Sequence, residues 1–269
     1  MADIKLGIVG AGGRMGQMLV AEAHGQPGLR IVAGGEAPGS KAVGQDLGAL
    51  AGVGPLGVKI SGDSADVFRV SDLVLDFTVA AASVPHAELA AEHGRALVLG
   101  TTGLDAAQGT SVRRAATRAP ILWAANYSLG VNLLLSLVED AARRLGEEFD
   151  IEVLEMHHRQ KIDAPSGTAL ALGEAAARGR GIDLAARSQR VRDGVTGARR
   201  AGDIGFATLR GGDVAGEHCV IFAAAGERLE LGHRATTRAI FARGALKAAR
   251  WLAGKPAGLY DMKDVLGLR

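Results

Sequence analysis

The sequence predicts an α/β protein: a doubly wound parallel sheet followed by a second, smaller α+β unit. Three observations carry this. Short aliphatic runs alternate with alanine-rich segments of helical length through the first half, a glycine cluster stands between the first run and the first helix, and past about residue 128 the order of elements changes.

The aliphatic runs are Leu6 to Val9, Leu29 to Ala33, Leu73 to Phe77, Ala96 to Leu99 and Ile121 to Trp123. Each is bounded by glycine or polar residues and is apolar on both faces, as strands covered by helices on both sides must be. Between them, Met15 to His24, Ala80 to His93 and Asp105 to Arg118 read as helices. The second half opens with a helix, Val131 to Leu145, then a strand, Ile151 to Met156, a polar loop, and a helix from about Ser166 to Arg178. A glycine- and arginine-rich stretch, Arg187 to Asp203, is the candidate mobile segment. Strand-like runs Ile204 to Leu209 and His218 to Ala225 follow, and a helix, Thr237 to Leu252, closes the pattern.

Composition narrows the function classes. The chain has 269 residues, 48% hydrophobic and 22% charged, enough for a substantial core. A net charge of +2, from 31 basic and 29 acidic residues, argues against a nucleic-acid surface. The start, Met1-Ala2-Asp3-Ile4-Lys5, lacks the order of a secretory signal, so the expectation is a cytoplasmic protein. The uncharged stretch Ala119 to Val138 contains Pro120, Asn126, Ser128, Gly130 and Asn132 and reads as a buried strand and helix, not a membrane span. Cys219 lies in an apolar run and reads as an inert core thiol.

The glycine cluster is Gly10-Ala11-Gly12-Gly13-Arg14-Met15-Gly16. Glycines let backbone approach a pyrophosphate, and the helix that follows offers free N–H groups, so a strand–glycine loop–helix unit suits a dinucleotide. The spacing Gly10-x-x-Gly13-x-x-Gly16 departs from the commoner G-x-G-x-x-G. Glu36 follows the second strand about 20 residues after the last glycine, where a carboxylate accepts from an adenosine ribose. Other strand ends carry Asp76-Phe77-Thr78, Gly100-Thr101-Thr102-Gly103 and Ala124-Ala125-Asn126-Tyr127, as a ligand crevice at the carboxyl edge of a parallel sheet requires. Together these point to a Rossmann-type dinucleotide-binding domain.

The densest polar string runs from Glu155 through His157, His158, Arg159, Lys161 and Asp163 to Ser166-Gly167-Thr168. His157, His158 and Lys161 can hold an anion and give a proton, while Ser166, Gly167 and Thr168 open a helix whose amides suit a carboxylate. Adjacent residues on a strand face opposite ways, and no Cys or spaced carboxylate–histidine set accompanies the pair, so His157-His158 is not read as a metal site.

With this string the sequence resembles the 4-hydroxy-tetrahydrodipicolinate reductase family, also called dihydrodipicolinate reductases. The resemblance spans the chain, through Gly10 to Gly16, Asp76-Phe77-Thr78, Gly100 to Gly103, Asn126 to Asn132, His157 to Leu170, Ile204 to Arg210 and Gly216-Glu217-His218. It implies an NAD(P)H-dependent enzyme of the diaminopimelate and lysine pathway. It further implies that Gly10, Ala11, Gly12, Gly13, Arg14, Met15, Glu36, Gly100, Thr101, Thr102, Ala124, Ala125, Asn126 and Tyr127 line the cofactor, with Arg238 near it. His157 would be the proton donor and Lys161 a second acid or carboxylate-binding group; His158, Ser166, Gly167 and Thr168 would hold a small cyclic dicarboxylate. The implied organisation is a dinucleotide-binding domain, residues 1–128 with 237–269, around a substrate and tetramerisation domain, residues 129–236, in a homotetramer.

One departure bears on the cofactor. Members that favour NADPH can carry an arginine after the ribose-binding acid, whereas Glu36 is followed by Ala37-Pro38-Gly39. A 2′-phosphate would meet the Glu36 charge with no adjacent guanidinium, although Arg14 or Lys41 could reach in; the expectation is NADH use at least as good as NADPH. The competing readings are a reductase of another small carbonyl or imine on the same plan, and a non-catalytic dinucleotide sensor, against which intact His157 and Lys161 argue.

Overall fold

The computed structural model describes residues 2–268, and they divide into two compact units. The first comprises the chain up to Ser128 and again Ala239–Gly267, and the second is Leu129–Arg238. Thr237 and Arg238 thus group with the second unit, two residues past the boundary read from sequence.

In the first unit the chain runs β1 (Ile4–Val9), α1 (Arg14–Ala23), β2 (Leu29–Gly35), α2 (Leu47–Leu50), β3 (Ile60–Ser61), α3 (Ser64–Val70), β4 (Leu73–Asp76), α4 (Ala80–His93), β5 (Ala96–Leu99), α5 (Ala106–Ala116) and β6 (Pro120–Trp123). Next come, in the second unit, α6 (Leu129–Arg144), β7 (Asp150–His157), α7 (Gly167–Arg180), α8 (Leu184–Arg187), β8 (Ser188–Gln189), β9 (Ile204–Arg210), β10 (Gly216–Ala224) and β11 (Glu227–Ala235). The chain returns to the first unit with α9 (Ala239–Leu252), β12 (Gly258–Tyr260) and α10 (Met262–Leu266).

The first sheet is parallel throughout, in the order β12-β6-β5-β4-β1-β2-β3. The doubly wound fold class expected from the sequence is what forms, with the reversal of strand order between β1 and β4. Leu73, Val74 and Leu75 on β4, and Leu97, Val98 and Leu99 on β5, are fully buried, which is why these strands read as unbroken aliphatic runs. Local chemistry starts and stops the helices. Asp105 and Gln108 form a reciprocal capping box on α5, Asp63 caps α3, and Gly94 ends α4 in the left-handed region at φ 62°.

The second unit is a mixed sheet, β11-β10-β7-β9-β8, antiparallel across β11, β10 and β7 and parallel across β7, β9 and β8. β7 alternates strictly: Ile151, Val153, Glu155 and His157 are buried, and Ile151 and Val153 share one core with Leu134 and Val138 of α6, Leu172 and Ala176 of α7, and Phe206 and Phe222. The opposite face carries Leu154 and Met156, with Ala207 and Leu209 on β9 and Cys219 and Ile221 on β10 paired beside them or one pair along; Leu209 is 48% exposed.

The stretch 187–203 contacts the second sheet at several points. Its start pairs with β9 through β8, Arg192 forks onto Glu152 at 2.7 and 2.8 Å, and Arg199 reaches Asp150 at 2.7 Å, Glu152 at 3.0 Å and the Ile151 carbonyl at 3.0 Å. The bidentate Arg192–Glu152 pair and the Arg199 contacts tie the stretch to β7 at these points, while residues 191–198 between and beside them are exposed.

Candidate active site

In the first unit every β-strand runs the same way, so the loops after β1, β2, β4, β5 and β6 all open on one edge of the sheet. The glycine loop leaves β1 through Gly10, whose φ of +71° and closeness to Thr78, 2.8 Å from where a Cβ would stand, both demand glycine. Ala11 N–H donates to the Gly35 carbonyl at 3.0 Å and Gly13 N–H to the Gly10 carbonyl at 3.0 Å, tying the turn to β2 and to itself. Helix α1 starts on Gly13 with no side-chain cap and no acid in its first turn. That leaves its positive end to an outside anion. Glu36 lies over this loop: Oε2 accepts the Gly12 amide at 2.8 Å and Oε1 its neighbour Ala37's at 3.0 Å.

At the end of β5, Gly100 packs under the Phe77 ring, where a Cβ would collide, and the hydroxyl oxygen of Thr101 is buried without a partner. A capless helix start, a loop that only glycine fits, and an orphaned hydroxyl on the same edge fit a dinucleotide. The side chain of Tyr127, expected to line the cofactor, is turned into the core. Its ring is fully buried against Phe77, centroids 5.2 Å apart, and its hydroxyl donates to the Leu99 and Leu122 carbonyls at 2.9 and 3.2 Å. Burial, then the charge of Asp76, raises its ionisation well above the usual range. The side chain braces the sheet, so a ligand contact by Tyr127 would be made by its backbone. The sequence reading also missed His86. Its Nδ1 donates to buried Asp76 at 2.8 Å, its Nε2 bonds Ser64 at 2.9 Å, and Asp76 accepts the Thr78 hydroxyl at 2.6 Å, fixing the residue that abuts Gly10.

The second cluster grows from cross-strand register. Glu155 of β7 is paired with His218 of β10 and Thr208 of β9, and His157 with Arg210. His157 Nδ1 donates to Glu155 Oε2 at 2.6 Å, and Arg210 forks onto both oxygens of that carboxylate at 2.8 Å each. Glu155 also accepts the Ser166 amide at 3.0 Å and the Thr208 hydroxyl at 3.3 Å, and is 1% exposed. Burial alone would raise its pKa, but the hydrogen bonds from Arg210, His157 and Ser166 bring it down to about 2, so it is a carboxylate. Burial lowers His157 below the usual imidazole value, opposed by Glu155 and assisted by Lys161 and Arg210.

His218 lies edge-on to His157, ring centroids 5.1 Å apart, and shares a hydrogen bond with the Ser166 hydroxyl at 3.0 Å. Burial, then the charge of His157, lowers its pKa to about 4, and its Nδ1 is buried without a partner. Ser166 caps α7 through the Ala169 amide at 3.1 Å. Its hydroxyl is shared between the Ala169 amide and His218, and its amide is given to Glu155. Gly167 beside it is exposed, with open space where a Cβ would point. Lys161 is paired with Asp163 at 2.8 Å, near enough for its charge to weigh on His157. Glu155, Arg210 and His218 were given no role from sequence. Only Glu155 had a local signal, two residues from His157 on one strand face.

Two family models match the chain: dihydrodipicolinate reductase, N-terminus, over residues 4–127, and dihydrodipicolinate reductase, C-terminus, over residues 130–266. A 4-hydroxy-tetrahydrodipicolinate reductase of Afipia carboxidovorans is 55% identical, covering 100% of this chain and 98% of its own. One of Methylocella silvestris is 56% identical, with 100% and 98% covered. Among solved structures, the dipicolinate-bound dihydrodipicolinate reductase from Paenisporosarcina sp. TG-14 superposes with TM-score 0.77 at 25% identity, covering 96% of this chain and 97% of that one. A looser likeness to an amine dehydrogenase from Mycobacterium smegmatis, TM-score 0.60 at 16% identity over 96% and 94% of the two chains, bears on the fold alone. With both halves matched and full-length relatives above half identity, the chain belongs to the dihydrodipicolinate reductase family.

Proposed function

We propose that this chain catalyses the NAD(P)H-dependent reduction of 4-hydroxy-tetrahydrodipicolinate in lysine biosynthesis, with His157 as the proton donor. The observation that carries the assignment of roles is the cluster at the end of β7: an imidazole with one nitrogen committed to a buried carboxylate, beside Lys161 and the start of α7. Gly10, Ala11, Gly12, Gly13, Arg14 and Met15 hold the pyrophosphate, Glu36 the adenosine ribose, and Gly100, Thr101, Thr102, Ala124, Ala125 and Asn126 the remainder of the cofactor. When bound, the reduced nicotinamide would supply a hydride to the conjugated ring of dihydrodipicolinate, which the substrate becomes on losing its hydroxyl as water, giving tetrahydrodipicolinate. The chain's own residues do the rest. Two substrate carboxylates call for Lys161, His158 and the α7 N-terminus with Gly167 and Thr168, and the charge that builds on the ring is quenched by a proton from His157.

The cofactor preference follows from Glu36. Its carboxylate already accepts the Gly12 amide, and a 2′-phosphate entering there would meet that charge with Ala37 in place of a guanidinium. NADH is therefore used at least as well as NADPH. The homotetramer implied by the family resemblance is supported by the open face of the second sheet, where Leu154, Met156, Leu209 and Ile221 form an apolar surface that a second copy would cover. The direct test is oxidation of NADH, and separately NADPH, by purified protein with freshly made substrate, alongside His157→Gln and Lys161→Ala. Rapid oxidation that falls by about 100-fold or more in the variants is expected. Unchanged rates in His157→Gln would remove the assigned proton donor, and a strong NADPH preference would overturn the reading of Glu36.

A further inference from the structure

We infer that Glu155, clamped by Arg210, is a positioning residue for His157: it engages the Nδ1 hydrogen and leaves Nε2 as the one ring atom through which His157 passes a proton. The inference rests on His157 being the proton donor of the reaction proposed above.

The geometry is over-determined. Besides His157, four donors from two other segments fix the Glu155 carboxylate: both terminal nitrogens of Arg210, the Thr208 hydroxyl, also on β9, and the Ser166 amide at the start of α7. Arg210 is itself oriented by the Asp163 and Leu209 carbonyls, at 2.7 and 2.6 Å. A carboxylate so held cannot rotate away, and the 2.6 Å bond it makes fixes both the tilt of the imidazole and the nitrogen that keeps its hydrogen. On the other side of the ring, Nε2 faces Gly216, where a Cβ would stand 3.0 Å away, so glycine keeps that side open.

The groups facing His157 are Glu155 on its own strand, Arg210 on β9, His218 on β10, and Lys161 with Asp163 in the following loop. His218 is neutral in the buried cluster and so adds no second positive charge beside an imidazolium. In the proton step the Nε2–H bond breaks, its electrons stay on the ring, and a bond to hydrogen forms at the substrate centre made electron-rich by hydride addition. The ring is left as the neutral Nδ1–H tautomer, still bonded to Glu155, and regains a proton at Nε2 from solvent. Without the carboxylate the neutral ring divides between tautomers and orientations, as happens when the buried acid of a Ser-His-Asp triad is made an amide.

The test uses the full-length enzyme and compares Glu155→Gln, Glu155→Asp and Arg210→Lys with wild type, with His157→Gln as reference. Glu155→Gln is expected to lower kcat by about 100-fold or more while KM for the substrate and the Kd for NADH stay within about threefold. The high-pH limb of kcat, where the imidazolium is lost, is expected to move to lower pH by about one unit, because the charge that favours the imidazolium is gone. Glu155→Asp keeps that charge and should retain the limb while lowering kcat. Arg210→Lys keeps Glu155 but loses the fork and should cost about tenfold in kcat. A Glu155→Gln enzyme with the wild-type limb, or with its whole loss in KM, would overturn the inference. Should that variant fail to fold by circular dichroism, Arg210→Lys and Glu155→Asp decide: wild-type kcat in both overturns it. Full activity in His157→Gln would instead remove the reading on which it rests.

Discussion

Acidification should loosen the second unit through one residue, His218. Its imidazole is buried, shares a hydrogen bond with Ser166, and lies 5.1 Å from the ring of His157. Burial, and after it the charge of His157, takes its pKa from 6.5 to about 4. A histidine with a lowered folded value binds its proton more weakly folded than unfolded. The stability it contributes is therefore complete above pH 6.5 and is lost as the pH falls toward 4. The interval, 6.5 less about 4, at about 1.4 kcal/mol per unit, is about 3 kcal/mol. Urea unfolding followed by far-ultraviolet circular dichroism, at pH 7 and at pH values down to about 4, measures it, with His218→Gln as a neutral partner for Ser166. Trp123 and Trp251 both lie in the first unit, so their fluorescence reports the wrong half. Wild type should lose about 3 kcal/mol more than the variant over that interval. Parallel pH curves for the two proteins would refute the reasoning, since the unpartnered, buried Nδ1 would then carry no proton-linked cost.

Further outcomes follow from other features. Below that range Glu155, held at about 2 against an ordinary 4.5, should contribute a second loss of about 3 kcal/mol between those values, absent in Glu155→Gln and visible as a changed slope of acid unfolding. Ala37→Arg, which puts a guanidinium next to Glu36, should raise kcat/KM for NADPH relative to NADH by about tenfold, read from initial rates with each cofactor. Gly16→Ala would drive a methyl into the Gly10 carbonyl and to within 2.8 Å of the Ala11 Cα; it should cost about 1–3 kcal/mol of stability in thermal or urea melts and weaken NADH binding by at least tenfold in fluorescence titration. Ile221→Glu, on the open face of the second sheet, should give smaller species than the proposed tetramer by light scattering at fixed protein concentration. Arg199→Ala, which removes the contacts to Asp150, Glu152 and Ile151, should make residues 187–203 a preferred site of limited proteolysis.

The parts of the fold buried on both faces were legible in the sequence. Ala96–Leu99 and Leu73–Asp76 are sealed from water, and nothing but an aliphatic run satisfies that, so they read as strands to within a residue. β11 was not legible: Glu227 to Ala235 is an edge strand with charges on four of its nine positions, and only its pairing with β10 makes it a strand. β12 and β3 are three and two residues long, too short for any period to show. At the site, the polar string from Glu155 to Thr168 was visible as a concentration of donors, and Glu155 could be linked to His157 by the two-residue period of a strand. Arg210 and His218 stand 53 and 61 residues from His157, and what brings them to it is the register of β9 and β10 on β7. His86 meets Asp76 only because α4 packs back on the strand it follows, a tertiary fact without a local signature.

The first sheet is finished by the last part of the chain, which sets the order in which a newly made molecule can fold. Helix α9 packs on β4, β5 and β6 and binds α1 and the loop after it through Arg243 on Glu22 and Arg250 on Gln26 and Pro27, while β12 extends the sheet beside β6. On the ribosome these pieces emerge only after the whole of the second unit. At about 5–20 residues per second the first unit waits roughly 7–28 s between Ser128 and Gly267 with the apolar seat of Ala242, Leu246 and Ala249 uncovered. The second unit, continuous in sequence, can close during that interval. The half that starts the chain is thus completed last, and its unfinished face is where a nascent-chain chaperone would find its longest opening.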